Sequence, residues 1–216
     1  DDWAPVLWVI AALTMIVGSV LSVAQTDIKR LLAYSSIAHA GFILVGVLAF
    51  DITGVSGTMF YLLAYGLASL AAFGIVALVR EGNAEASHIG QWAGLGKKHP
   101  VVAGIFALLL LTFAGIPLTS GFTAKFAAFA PAIAHGGTTL AVLVVIGVLC
   151  SAITAFVYVR IIVLMYFSEA QGDVRALNPS ILTTVGLAIA VILTIGLGIM
   201  PAPVLDLAAQ ASLFLR

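Results

Sequence analysis

From Ala114 to Phe126 the sequence reads AGIPLTSGFTAKF, inside an otherwise apolar run from Val101 to Ala134. At a rise of ~1.5 Å per residue that run would make a helix about 50 Å long, well beyond the ~30 Å hydrocarbon core of a bilayer. It cannot be one straight span. Gly115, Pro117 and Gly121 lie near its middle, and proline removes an amide donor and clashes with the preceding turn, so the run is expected to split into two half-helices. Non-helical backbone at membrane depth persists only where protein or a water-filled cavity satisfies it, which places Thr119, Ser120 and Thr123 beside water or polar partners.

Lys125 follows the break. An ammonium at this depth costs roughly 3 kcal/mol on insertion scales and more in simulations, so an intramembrane lysine is a candidate functional residue. On this reading it falls in the first turn of the second half-helix, where the positive dipole end and desolvation favour the neutral amine and equip it to gain and lose a proton. Two plainer roles compete: a stem that snorkels to an interface, or a lysine neutralised by a carboxylate and purely structural. Snorkelling is the weaker, because about 14 Å of helix separates Lys125 from the nearer end of its run.

Composition sets the class. Apolar residues make up 62% and charged residues 8%, with mean hydropathy +1.21, against about a quarter charged in a soluble domain. The chain reads as an all-α integral membrane protein. Its nine basic residues are scattered and its formal net charge is zero, which gives no nucleic-acid surface. The single cysteine, Cys150, builds neither a disulfide framework nor a Cys-based metal site. No metal-ligand spacing, nucleotide-binding glycine pattern or Ser/His/Asp arrangement is present, so no cofactor and no metal are expected in this chain. The start at Asp1-Asp2 shows no basic region or cleavage site, so no signal peptide is expected.

Read in order, the chain gives six transmembrane segments forming a single membrane domain over 1–216. The first runs from Pro5 to Val23, and Thr26 or Asp27 can cap the second, which carries Lys29-Arg30 at its mouth and then Leu31 to Phe50. Asp51 to Gly57 reads as a polar turn, and Thr58 to Val79 as the third span. Residues 81–100 read as a cytoplasmic surface loop with a short interfacial helix. The fourth segment is the one broken near Pro117. Thr138 to Phe167 is the fifth, long enough to tilt or protrude, with Arg160 able to snorkel. Ile181 to Met200 is the sixth, and 201–216 is an interfacial tail with Leu207, Ala208, Ala211 and Leu215 at helical spacing. If connections alternate sides, Lys29, Arg30, Arg80, Lys97, Lys98, Arg160 and Arg175 share one face and only Arg216 lies on the other. The positive-inside rule makes the basic face cytoplasmic and puts both termini outside.

His39 is the only histidine within a span, with Ser35 one turn before it on the same face and Tyr34 and Ser36 alongside. It can relay protons, or be a neutral histidine bonded to a neighbouring helix, and the residues alone favour the second slightly. Tyr61 and Tyr65 share a helix face, where they either line a hydrated path or pack; packing is the stronger reading.

Two stretches carry a resemblance. QTDIKRLLAYSSIAHAGF, from Gln25 to Phe42, together with AGIPLTSGFTAKF, resembles the proton-translocating antiporter-like family. That family includes large membrane subunits of NADH:quinone oxidoreductase (respiratory complex I), Mrp-type cation/proton antiporters and membrane-bound hydrogenase subunits. GIPLTSGFTAKF followed by a helix ending YVRIIVLMYF is most similar to its bacterial N-type branch, and lysine rather than glutamate at position 125 speaks against the M-type. The resemblance implies a fourteen-helix protein with two inverted five-helix repeats, of which this chain would hold the second repeat plus one final helix. Lys125 would then be the family's proton-transferring lysine on the outward half-channel, with His39, Tyr34, Ser35, Tyr61, Tyr65, Thr119, Ser120 and Thr123 bordering a central hydrated axis. NADH, FMN, iron-sulfur clusters and quinone would belong to partner subunits in a bacterial inner membrane. The other partners implied are further membrane subunits, the missing N-terminal half and lipid. An Mrp-type sodium/proton antiporter or hydrogenase subunit, and a non-transporting structural subunit, remain the alternatives.

Overall fold

A computed structural model describes residues 3–170 and 172–213. The expectations attached to Asp1-Asp2, Leu215 and Arg216 lie outside the described residues. Among the described residues five helices are long and apolar enough to cross a membrane: α1 (Ala4–Val23), α2 (Ile28–Leu48), α3 (Ile52–Leu78), α7 (Gly137–Phe167) and α8 (Ile181–Ile199). The expected fourth span is two short helices, α5 (Pro100–Ala114) and α6 (Ser120–His135). Fifteen residues make only about 22 Å of helix, so α5 cannot cross alone and the pair together replaces one span. A last helix, α9 (Ala202–Ser212), packs along α3.

Asp27 begins α2 by accepting the Arg30 amide at 2.9 Å, the capping arrangement its position suggests. Asp51 to Gly57, in contrast, is not a turn: Asp51 occupies the N-cap in extended backbone and α3 starts at Ile52. The glycines that read as turn residues are contact residues. A Cβ on Gly54 would meet the Gly46 carbonyl of α2, and one on Gly57 would meet the Ala127 carbonyl of α6. That second carbonyl is free because the residue four positions on, Pro131 inside α6, has no amide to donate.

The polar connections collect at two ends. At one end the 81–100 connection forms strands β1 (Val79–Glu81) and β2 (Ala84–Glu85), a 3-10 turn at Ile89–Trp92 and a single-turn helix α4 (Leu95–Lys98). Strand β3 (Val174–Ala176), from the connection between α7 and α8, completes an antiparallel sheet ordered β2-β1-β3. Asp27 bridges to His88 at the same end. Trp92 is fully buried there, donating its indole N–H to Ala86 O at 2.8 Å, with its ring centroid 4.8 Å from that of Phe106. At the other end His135 Nδ1 lies 3.3 Å from an Asp51 carboxylate oxygen, tying α6 to the α2–α3 turn. This division is the one that alternating crossings require.

Replacing Gly57 with Val forces α3 away from the Ala127 carbonyl and should destabilise the full-length protein by about 1–3 kcal/mol, read as a lower thermal midpoint in detergent. The Glu85 carboxyl is held below the ordinary carboxylate range, first by its hydrogen bond from Lys29 and then by the charges of Lys29 and Arg80. A depressed carboxyl stabilises the fold above the unfolded-state value and loses that contribution as pH falls through the folded one. The thermal midpoint should therefore drop on acidification below about pH 4.3, and Glu85→Gln should flatten that part of the profile.

Candidate functional site

The break is built from local constraints. Gly115 ends α5 in the left-handed region, φ +80°, where its amide returns to the carbonyls of Leu111 and Thr112. Pro117 has no amide for the Phe113 carbonyl four residues earlier, and Leu118, itself left-handed at φ +73°, points away from the helix path. The carbonyls of Phe113 and Ala114 are thus left without helical partners. Thr119 starts α6, its hydroxyl accepting the Phe122 amide at 3.3 Å while donating to Ile116 O at 2.7 Å. Gly121 lets α6 lie against α5, since a Cβ there would overlap the Thr112 carbonyl.

Lys125 fills the vacated positions. Its Nζ donates to the carbonyl oxygens of Phe113 and Ala114, each at 2.9 Å, and to Ser151 Oγ of α7 at 2.6 Å. The side chain is 8% exposed, and its three acceptors match the three N–H groups of an ammonium. The Phe42 ring centroid lies 5.3 Å away. Gly115 is required here twice, because a Cβ on it would sit 3.0 Å from Lys125 Cδ and 3.1 Å from Nζ. Two expectations change. Lys125 occupies the second turn of α6, not the first, and its side chain runs back so that the nitrogen meets the carbonyl, negative end of α5 rather than the positive end of its own helix. Among the described residues no carboxylate lies within ion-pair distance of it.

His39, on α2, sits in an aromatic cluster. Its Nδ1 and Tyr61 Oη are hydrogen-bonded at 2.9 Å, and Tyr65 stacks on it with centroids 4.3 Å apart. Tyr65 donates to Ser36 Oγ at 2.8 Å, and Ser35 bonds Tyr158 of α7. His39 Nε2 is buried with no partner among the described residues. A small cavity of about 10 Å³ lies between His39, Tyr61, Tyr65, Thr112 and Phe113, room for roughly one water. Phe42 and Phe113 border both His39 and the Lys125 nitrogen, joining the two groups.

The structure therefore brings His39, Ser35, Tyr61 and Tyr65 together and sets them beside the Lys125 break. It does not bring Tyr34 there: that residue is half-buried on the side of α2 whose backbone meets Gly18 of α1. Ser120 is buried with an unpartnered hydroxyl, and Thr123 is half-buried. Ser151, Thr112 and Tyr158 escape sequence reading because nothing in an apolar helix marks which hydroxyl faces a distant lysine. Among the described residues no group of three or more His, Cys, Asp or Glu side chains forms a metal-binding set.

Comparison with known proteins adds to this geometry. Residues 1–154 match the family described as NADH:quinone oxidoreductase/Mrp antiporter, TM. NADH-quinone oxidoreductase subunit N of Rhodococcus opacus is 55% identical over 216 residues, which are 100% of this chain and 39% of that protein. The subunit N of Mycobacterium tuberculosis is 50% identical, covering 100% of this chain and 41% of its own length. The chain thus spans about two fifths of these relatives. A chain of respiratory complex I from Thermus thermophilus with bound aureothin superposes with TM-score 0.80 at 30% identity, over 94% of this chain and 45% of that one. A chain of the Mrp complex from Dietzia sp. also gives 0.80, at 22% identity over 97% and 47%, a likeness of fold.

The lysine cradle is open to a direct test. Ser151→Ala strips one acceptor from a buried N–H and should cost about 1–3 kcal/mol, measured by thermal unfolding of the full-length protein. Combined with Lys125→Met the serine should no longer matter, and strict additivity of the two changes would show that they do not act together.

Proposed function

The chain belongs to the NADH:quinone oxidoreductase/Mrp antiporter transmembrane family, and from that premise we propose that it is the C-terminal part of an N-type membrane subunit of a bacterial NADH:quinone oxidoreductase, carrying the outward step of proton transfer at Lys125. Being a multi-pass membrane chain of apolar helices fits this role. The observation that carries it is the Lys125 cradle: a buried titratable amine on a broken helix, with no carboxylate to neutralise it among the described residues, held by two backbone carbonyls and a hydroxyl. Capping the break needs only a fixed donor, whereas an amine that can lose a proton at membrane depth can also carry one.

In this reading a proton reaches Lys125 from the remainder of the subunit by way of the polar axis at His39, Tyr61 and Tyr65. Protonation places three N–H donors on three acceptors. Charge appearing nearby in the low-dielectric interior then favours proton release toward the face opposite the basic loops. His39 offers one bonded and one free ring nitrogen, and the adjoining cavity has room for about one water, so it can pass a proton in either direction along the axis. NADH, FMN, iron-sulfur and quinone chemistry belongs, on this proposal, to partner subunits in the cytoplasmic membrane. The three-stranded sheet and residues 81–100 face the cytoplasm, and α9 lies toward the outer side.

The subunit N relatives, matched along the whole chain at 50–55% identity, support this reading over an Mrp-type one. NADH-driven proton pumping should be measured in vesicles carrying the assembled parent complex with Lys125→Met. Loss of both quinone-linked turnover and pumping is expected. Retention of both at wild-type levels would make Lys125 structural, and sodium-dependent transport without NADH or quinone would assign the chain to an antiporter.

A further inference from the structure

At the basic end of the bundle α7 runs past the end of α1, leaving a notch of about 340 Å³ between its last turns and the α1–α2 turn, roofed by the 3-10 turn after β2. Arg160 lines this notch about two turns before the end of α7, the depth at which a membrane interface begins for a helix longer than its span. Four other cations of this face are matched, and Arg30 and Lys97, which are not, stand exposed and outside the notch. Lys29 and Arg80 pair with Glu85, and Lys98 and Arg175 with Asp173. Among the described residues Arg160 makes neither an ion pair nor a hydrogen bond, and no acidic residue lines the notch. The neighbouring Asp27 carboxylate is engaged with the Arg30 amide.

Further donors converge on the same space. His88 Nδ1 accepts the Gly90 amide at 3.1 Å, so neutral His88 carries its proton on Nε2 and presents an N–H. Ser168 contributes a hydroxyl from the C-cap of α7. The floor is Ile89, Val163 and Leu164, and below Arg160 the outer face of α7 continues through exposed Val159 and Phe156. A planar guanidinium with all its donors free, in a notch with two further polar side chains and beside an apolar stripe, suits a phosphate ester that carries hydrocarbon chains.

We propose that this notch binds the headgroup of an anionic phospholipid, with Arg160 bidentate on the phosphate, His88 and Ser168 on its remaining oxygens, and the acyl chains along Val159 and Phe156. A snorkelling arginine would need neither the notch nor the second and third donors. The site lies apart from Lys125 and stands whether or not that residue transfers protons.

The test uses the full-length subunit in its parent complex, reconstituted in phosphatidylcholine with a trace of photoreactive phosphatidylglycerol and mapped by peptide mass spectrometry after illumination. Labelling of the α7 peptide around Val163 should fall about tenfold in Arg160→Gln, the loss of a charge-assisted bond. It should fall similarly in Val163→Trp, which fills the notch and keeps the charge. Equal labelling in either variant overturns the proposal. So does equally strong labelling by photoreactive phosphatidylcholine, which would remove the preference for an anionic headgroup. Displacement of the label by millimolar inorganic phosphate would make free phosphate the ligand, and crosslinking of the α7 peptide to a neighbouring subunit would make the occupant a protein; each also overturns it.

Discussion

Proline at position 117 cannot give an amide to the Phe113 carbonyl, and the Lys125 ammonium occupies that carbonyl together with its neighbour on Ala114. The arrangement at the centre of the bundle follows from this exchange. A helix break in hydrocarbon exposes backbone acceptors at a cost of several kcal/mol each, and a lysine in hydrocarbon carries donors at a similar cost. Put together, each defect satisfies the other. Gly115 is then dictated by its left-handed backbone and by the lysine stem lying against it, and Ser151 completes the third bond from α7.

The cradle is also what joins α5, α6 and α7. Lys125 belongs to α6, two of its acceptors to α5 and the third to α7. A change in its protonation touches all three helices, because a neutral amine keeps N–H donors for only the two carbonyls and has to accept from the Ser151 hydroxyl instead of donating to it. His39 and its tyrosines share Phe42 and Phe113 with the cradle, so movement of the lysine is felt at the histidine through packed rings rather than through a long polar chain.

Much of this was readable from the chain, and the limits have physical reasons. A run too long for one crossing, interrupted by Gly115, Pro117 and Gly121, announces the break because backbone chemistry is local. Lys125 stands out because charge is rare at that depth. What escaped reading depends on which faces meet. Ser151 is one hydroxyl in an apolar helix, and Gly54 and Gly57 carry the composition of a turn while serving as contact points between helices. The Lys125 side chain leans back across the break to the carbonyl end of α5, which residue spacing does not reveal. The three-stranded sheet joins segments about ninety residues apart, Val79–Glu81 and Val174–Ala176, and so has no local signature.

Pro131 gives α6 a second discontinuity beyond Lys125. Between it and the break lies a rod of about three turns, ended by the glycine and proline on one side and lacking only the bond to the Ala127 carbonyl on the other, where the helix runs on to His135. The glycine-to-carbonyl contact with α3 and the lysine cradle are then its two bearings. One bearing is a fixed backbone contact and the other is a set of hydrogen bonds whose number of donors depends on a proton.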